Sequence, residues 1–238
     1  MIVILASRWD QTANAFAAYC GNQPVRILTC QDLCRSGWRQ YLGRQTSGAA
    51  STDMAVAQRR VMPQQDITGV LTRLACVTGD ELVEIAPQDR GYVAAEMTAF
   101  LLFWASRLTC PVLNRPTPMC LSGPFWRAEQ WVHVAARAGI PVQALRRTTS
   151  SESAAVAPTT SRAVTVIGER IFGEADPDLL HQAQCLAGLA GVAMLTVYFS
   201  GPERGATFIG ADTFPDLGDN RLRDAALEYL CGTSAGNA

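Results

Sequence analysis

An open parallel α/β sheet domain followed by a smaller α+β domain is the fold class this sequence predicts, and three observations carry it. Two continuous apolar runs, 2–6 and 24–30, flank a helical stretch from about Gln11 to Cys20. Runs that are apolar throughout, joined by a helix, mark parallel strands buried on both faces. A long alanine-rich stretch from Tyr92 then leads into the pair Val112-Leu113. Beyond Thr148 the composition turns to Ser, Thr, Ala and Pro, after which strand and hairpin patterning resumes. The expected organisation is a sheet domain over 1–148, a flexible linker over 149–161 and an α+β domain over 162–238.

Taken in order, the opening MIVILA is too short and lacks the basic leader of a signal peptide, so it reads as a first buried strand. Asp10 or Thr12 caps the helix that follows, which is the structural alternative to binding an anion there. The loop SRWDQT has no GxGxxG fingerprint, so dinucleotide binding loses its simplest support. Arg59 and Arg60 flank a strand edge, and 67–74 reads as a further strand with Arg73 near its end. Asp80, Glu81 and Glu84 fall on a helix or an exposed loop. In the long helix, Val93, Met97, Phe100, Leu101 and Trp104 recur at the spacing that gathers side chains on one face. A second helix, 125–138, stops at Gly139. Past the linker, two apolar runs about Gly168-Glu169 predict a hairpin over 162–173. Asp176 caps a helix over 176–191, a strand covers 192–199, the turn GPERG leads to ATFIGAD, and a final helix ends at Gly232.

Composition excludes several functions. All 20 basic residues are arginine, set against 21 acidic ones, for a net charge of −1. Without lysine there is no Schiff-base chemistry and no P-loop, whereas arginine can still clamp phosphate or carboxylate through its fork of donors. No charge run resembles a nucleic-acid or membrane patch, and no apolar stretch is long enough to span a bilayer. A cytoplasmic location is expected. The eight cysteines, at 20, 30, 34, 76, 110, 120, 185 and 231, form no CxxC pair. They read as small buried hydrophobes, and no metal site and no cofactor are expected.

Asn114 and Arg115 lie where a ligand could meet the end of a strand, although a turn before Pro116 also accounts for them. Glu96 in an apolar helix suggests an ion pair with Arg115 or Arg73 rather than acid or base work. Phe125, Trp126 and Trp131 are candidate interface anchors, with ordinary core packing as the alternative. His133 has no complementary acid or nucleophile at a recognisable spacing.

The order of these elements resembles the ATP-grasp enzymes of the ribosomal-protein glutamate ligase and peptide-maturase type. The residues that carry the resemblance are Tyr92 and Glu96, Val112 to Pro116, the helix 125–138 with Gly139-Ile140-Pro141, and Leu145 to Thr148. They continue with VTVIGERIFG at 164–173, the helix over 176–190 and the strand over 192–199. Against this resemblance, roughly a dozen linker residues stand where the family has a long lysine-bearing insert that grasps the nucleotide. The lysine usual before the second helix is replaced by Phe125, Trp126 and Arg127, and of the family's metal ligands only Asp212 remains, with Phe214 in place of an oxygen donor. A truncated ATP-grasp-like architecture is therefore expected. Its expected role is a non-catalytic binding or accessory protein in peptide modification or small-molecule biosynthesis, working as a homodimer or as a subunit of a biosynthetic enzyme. A peptide or small-molecule ligand would meet Asn114, Arg115, Arg127, Arg170 and Asp212, with no nucleic acid and no membrane involved. The alternative is an ATP-dependent carboxylate-amine ligase or transferase with a site rebuilt on Arg115, Arg127, Arg170, Glu169 and Asp212.

Overall fold

The computed structural model describes residues 1–42, 52–143 and 161–232. Contacts divide the chain into two units, one of residues 1–123 with 216 onward, the other of residues 124–215. The boundaries thus fall at 123/124 and 215/216, not at 148 and 162. Two helices account for the difference, since the one over 125–138 belongs to the second unit and the last one returns to the first. The expected Leu145–Thr148 strand, all but the last residue of the 149–161 linker, and the tail beyond Gly232 lie outside the described residues.

In the first unit, β1 (Ile2–Ala6), α1 (Gln11–Tyr19) and β2 (Val25–Leu28) form the expected strand, helix, strand unit. Asp10 accepts from the Ala13 N–H at 2.9 Å and starts α1. A short α2 (Cys30–Leu33) precedes the hairpin β3 (Met54–Ala57) and β4 (Arg60–Pro63), which the sequence reading did not anticipate. Then come β5 (Gly69–Arg73), α3 (Arg90–Ser106) and β6 (Val112–Leu113). The sheet order is β2-β1-β5-β6, all parallel. The α3 residues Leu101, Trp104 and Ala105 share one core with Val3, Leu5, Val70 and Val112. Because strand side chains alternate, Ile2, Ile4 and Leu71 face the other way.

The second unit contains α4 (Ala128–Arg137), β7 (Arg162–Ile167), β8 (Arg170–Phe172), α5 (Pro177–Ala190), β9 (Met194–Phe199) and β10 (Phe208–Asp212). Its sheet runs β10-β9-β7-β8 and is antiparallel throughout. Val164, Val166, Leu195 and Val197 point to one face and pack with Leu179, Ala183 and Leu186 of α5 and with Trp131 and Ala135 of α4. Trp131 is therefore a core residue, 7% exposed, and this corrects its candidacy as an interface anchor. Phe125 is 65% exposed and Trp126 sits edge-on against Trp131, with centroids 4.8 Å apart. Asp176 caps α5 by accepting from the Asp178 N–H at 2.9 Å, and Gly191 closes the helix in the left-handed region at φ 65°. Gly188 in the last turn of α5 has open space where a Cβ would stand. Gly188→Ala should therefore raise stability by about 0.5–1 kcal/mol in urea unfolding, because alanine loses less backbone entropy in a helix. A loss of stability would mean that this turn is not helical in solution.

The chain returns to the first unit as α6 (Asn220–Leu230), which packs on β5 and β6. Asp219 caps it through the Arg221 N–H at 2.8 Å. The Tyr19 hydroxyl donates to Asp224 at 2.6 Å, tying α1 to α6.

The cysteines are all reduced, with Cys20, Cys30 and Cys120 buried and Cys34, Cys76 and Cys231 exposed. Burial pushes the thiols of Cys20 and Cys30 up to about 11 and about 12. Neither forms an appreciable thiolate near neutral pH, and the thiolate is the nucleophile. Iodoacetamide at pH 8 should label Cys76 and Cys231 while leaving Cys20 and Cys30 untouched until urea is added. Mass-spectrometric detection of a native-state adduct on Cys30 would contradict this packing.

Candidate functional site

In an open parallel sheet, ligands meet the carboxyl ends of the strands where the connections diverge, which here is between β1 and β5. The side chains at that point are mostly committed to one another. Arg73 Nε donates to Asp10 Oδ2 at 2.8 Å, and both side chains are largely buried. Asp10 therefore caps α1 with one oxygen and holds Arg73 with the other. Ser7 donates to the buried Glu81 carboxylate. Glu96 faces outward on α3, so the expected pairing with Arg73 gives way to the pair Arg73–Asp10.

Two of the candidates from sequence serve this scaffold. Asn114 is fully buried at the end of β6, and its carbonyl accepts from Thr72 Oγ1 at 2.7 Å. Arg115 reaches back along the chain, its guanidinium donating to the carbonyls of Leu108 at 3.2 Å and Cys110 at 3.0 Å. It thereby holds the connection between α3 and β6, a role available to arginine because its donors fan out in one plane.

The second unit offers a different surface. Directly opposed residues of a sheet point to the same face, and the register sets Asp212 opposite Thr196, Thr196 opposite Thr165, and Thr165 opposite Phe172. Arg170, opposite Ile167, lies on this same face, away from α5. The Thr165 and Thr196 hydroxyls are buried and 2.8 Å apart. Arg170 lies over the Phe172 ring at 5.3 Å. Asp212 accepts from the Phe214 N–H at 2.8 Å through Oδ1. Arg170 and Asp212 stand on opposite edge strands, about 14 Å apart by strand spacing, so they flank the threonine pair and make no ion pair. Glu169 is in the exposed β7–β8 turn, and Arg127 precedes α4, its N–H donating to Gln130 Oε1 at 2.9 Å. Sequence reasoning singled out Arg170 and Asp212 but not the threonines between them. Their alternation with valines marks a polar face, yet only the register brings them together.

Among the described residues no three His, Cys, Asp or Glu side chains gather as a metal cluster. A magnesium ion bound with a nucleotide needs only one or two protein carboxylates, the rest of its shell coming from phosphates and water. Asp212 fits that requirement, and Arg170 fits a phosphate.

No family model matches the sequence, and no curated protein sequence matches it either. Solved structures do match. The Chryseobacterium gregarium RiPP-associated ATP-grasp ligase in complex with ADP and a leader and core peptide superposes with a TM-score of 0.69 at 12% identity, over 98% of this chain and 97% of that one. The macrocyclase MdnC from Microcystis aeruginosa MRC, bound with precursor peptide MdnA, gives 0.64 at 11% identity over the whole of both chains. The ATP-grasp ligase PsnB, complexed with minimal precursor, Mg and ADP, gives 0.60 at 14% identity over 96% and 98%. The expectation of a non-catalytic pseudoenzyme is corrected by this comparison, because these three matches, each over nearly the whole of both chains, are to two ligases and a macrocyclase. An α/β parallel-sheet unit joined to a smaller α+β unit is thus an ATP-grasp-like fold, related to that of the RiPP-associated ATP-grasp ligase and of the macrocyclase MdnC.

Proposed function

We propose that this protein is an ATP-dependent carboxylate-amine ligase acting on a peptide, with arginine in place of lysine at its phosphate-binding positions. The observation that carries the reading is the chain-long likeness to a ligase holding ADP together with a leader and core peptide. Nucleotide, when bound, supplies the phosphoryl group that turns a carboxylate into an acyl donor. Charge on that group is the main obstacle to its transfer, so fixed positive groups and a metal do most of the catalytic work. Arg170 on β8 offers the positive group, and Asp212 at the end of β10 offers the metal-side carboxylate. The buried Thr165–Thr196 pair holds β7 and β9 in register between them.

Calorimetry with Mg-ADP should show binding, and ATP consumption should rise when a peptide bearing both a carboxylate and an amine is present. Asp212→Asn should reduce turnover about 10²-fold or more, the usual effect of deleting one preorganised electrostatic group, with the fold intact by circular dichroism. Absence of Mg-ADP binding at millimolar concentration would sink the reading.

A further inference from the structure

The carboxyl-end edge of the parallel sheet carries a second cleft that the ligase reading does not use. Arg8 follows β1, Arg35 follows α2, and Arg59 sits in the β3–β4 turn. Together with Asn14 and Gln31 these arginines line a cavity of about 260 Å³. Arg8 Nε is buried with no hydrogen-bond partner among the described residues, while its guanidinium lies 4.7 Å from the Trp9 ring centroid. A buried donor without an acceptor is costly unless a ligand supplies one. Asp32 is the one acid in this lining, and it is already engaged. It accepts from the Thr29 N–H at 3.0 Å, the Thr29 hydroxyl at 3.2 Å and the Arg59 N–H at 2.9 Å. Three arginines therefore line the cleft with one carboxylate, which is spent on Thr29 and the Arg59 N–H, while Glu84 stands beside Arg35 and Arg59 in the adjoining cavity.

Arg35 also lines a neighbouring cavity of about 420 Å³, together with Leu33, Trp38, Met97, Phe100 and one acid, Glu96. One guanidinium thus stands between an anion-seeking cleft and an apolar one. In an extended peptide, side chains two residues apart project from the same side, separated by roughly 6–7 Å. An acidic side chain with a bulky apolar one two residues on would offer one group to each cavity, the carboxylate to the arginine forks and the apolar group to the wall beside Phe100. We propose that the first unit binds an acidic peptide segment here, with Glu or Asp directed to Arg8, Arg35 and Arg59 and a neighbouring Leu or Phe directed to the Trp38–Met97–Phe100 cavity. The ligand's being a peptide rests on the ligase reading, whereas its acidity and apolar neighbour rest on these two cavities alone.

The test is fluorescence anisotropy with the full-length protein and a fluorescein-labelled peptide carrying two Glu-Ser-Phe repeats, without nucleotide. Two control peptides carry Gln for Glu and Ala for Phe, and inorganic phosphate and a single-stranded oligonucleotide serve as competitors. The acidic, apolar peptide should bind, each control at least tenfold more weakly. Arg35→Gln and Arg8→Gln should each weaken it about tenfold or more, and Met97→Ala should weaken only peptides that retain Phe. Arg35 is exposed, so its variant keeps the test open if Arg8→Gln unfolds. Equal binding of the Glu and Gln peptides, or indifference to both arginine variants, would overturn the proposal. So would an oligonucleotide that competes more strongly than the unlabelled acidic peptide, or the absence of any peptide binding. Peptide binding without ADP formation would remove the ligase reading alone, and ADP formation indifferent to Arg8 and Arg35 would remove this one alone.

Discussion

Trp104→Ala should lower the stability of the first unit by roughly 3–5 kcal/mol, the range for emptying a buried tryptophan site. The indole is fully buried on α3 and packs with Leu101 and Ala105 against the strand residues Val3, Leu5 and Val70. Trp38 meets it edge-on at 5.9 Å, and Trp38 in turn meets Phe100 at 5.1 Å. Trp38 cannot swing into the vacated space at no cost, because its own N–H donates to the Asp32 carbonyl at 2.9 Å. The cavity therefore stays largely open, and the effect belongs at the upper end of the range. A thermal midpoint lowered by roughly 10 °C is the expected readout. Trp104→Phe should cost less than half as much. The indole N–H has no partner among the described residues, so removing it strands no acceptor. A midpoint for Trp104→Ala within about 2 °C of wild type would mean that α3 does not carry the core as described.

The elements legible in the sequence are those whose signals are local. The strand, helix, strand opening shows in two unbroken apolar runs with Asp10 between them, and α5 shows in Asp176 at its start and Gly191 at its end. The β3–β4 hairpin was not legible, because its turn is Gln58-Arg59, both at positive φ and neither a usual turn residue. Asp32 holds that turn from 27 positions away by accepting the Arg59 N–H, a support with no local signature. The same holds for the candidate site. Arginine near the end of a strand reads alike whether it waits for a ligand or staples carbonyls. Arg115 staples, with Leu108 and Cys110 as its acceptors, whereas Arg8 has a buried donor without a partner among the described residues. Trp126 and Trp131 likewise look alike until α4 is docked, when Trp131 turns inward. The unit boundary was misplaced because it depends on where α4 and α6 pack, and neither helix carries that information in its own pattern.

Gly69→Ala should be strongly damaging for the addition of a single methyl group. Gly69 begins β5 opposite Ile2, on the side where α6 comes to rest. A Cβ there would lie 2.3 Å from the Leu230 carbonyl oxygen and 2.9 Å from the Leu230 Cβ. Real Cβ atoms do not approach a backbone oxygen so closely, and a main-chain carbonyl cannot rotate away as a side chain can. Either the end of α6 lifts or β5 shifts against β1. The strand is pinned near its start, where the Thr68 N–H donates to the Met1 carbonyl at 2.9 Å and the terminal amine donates to the Asp66 carbonyl at 2.8 Å. The helix is therefore the part that yields, with loss of buried Leu230, Ala225 and Ala226 packing. Overpacking of this kind costs about 1–3 kcal/mol, and more where backbone must move, so about 3 kcal/mol is expected in urea unfolding. Hydrogen exchange should show the α6 amides losing protection ahead of the β1 amides. Gly188→Ala, which adds the same methyl group to open space, should move stability the other way, and equal behaviour of the two variants would show that the contact between β5 and Leu230 is not made in solution.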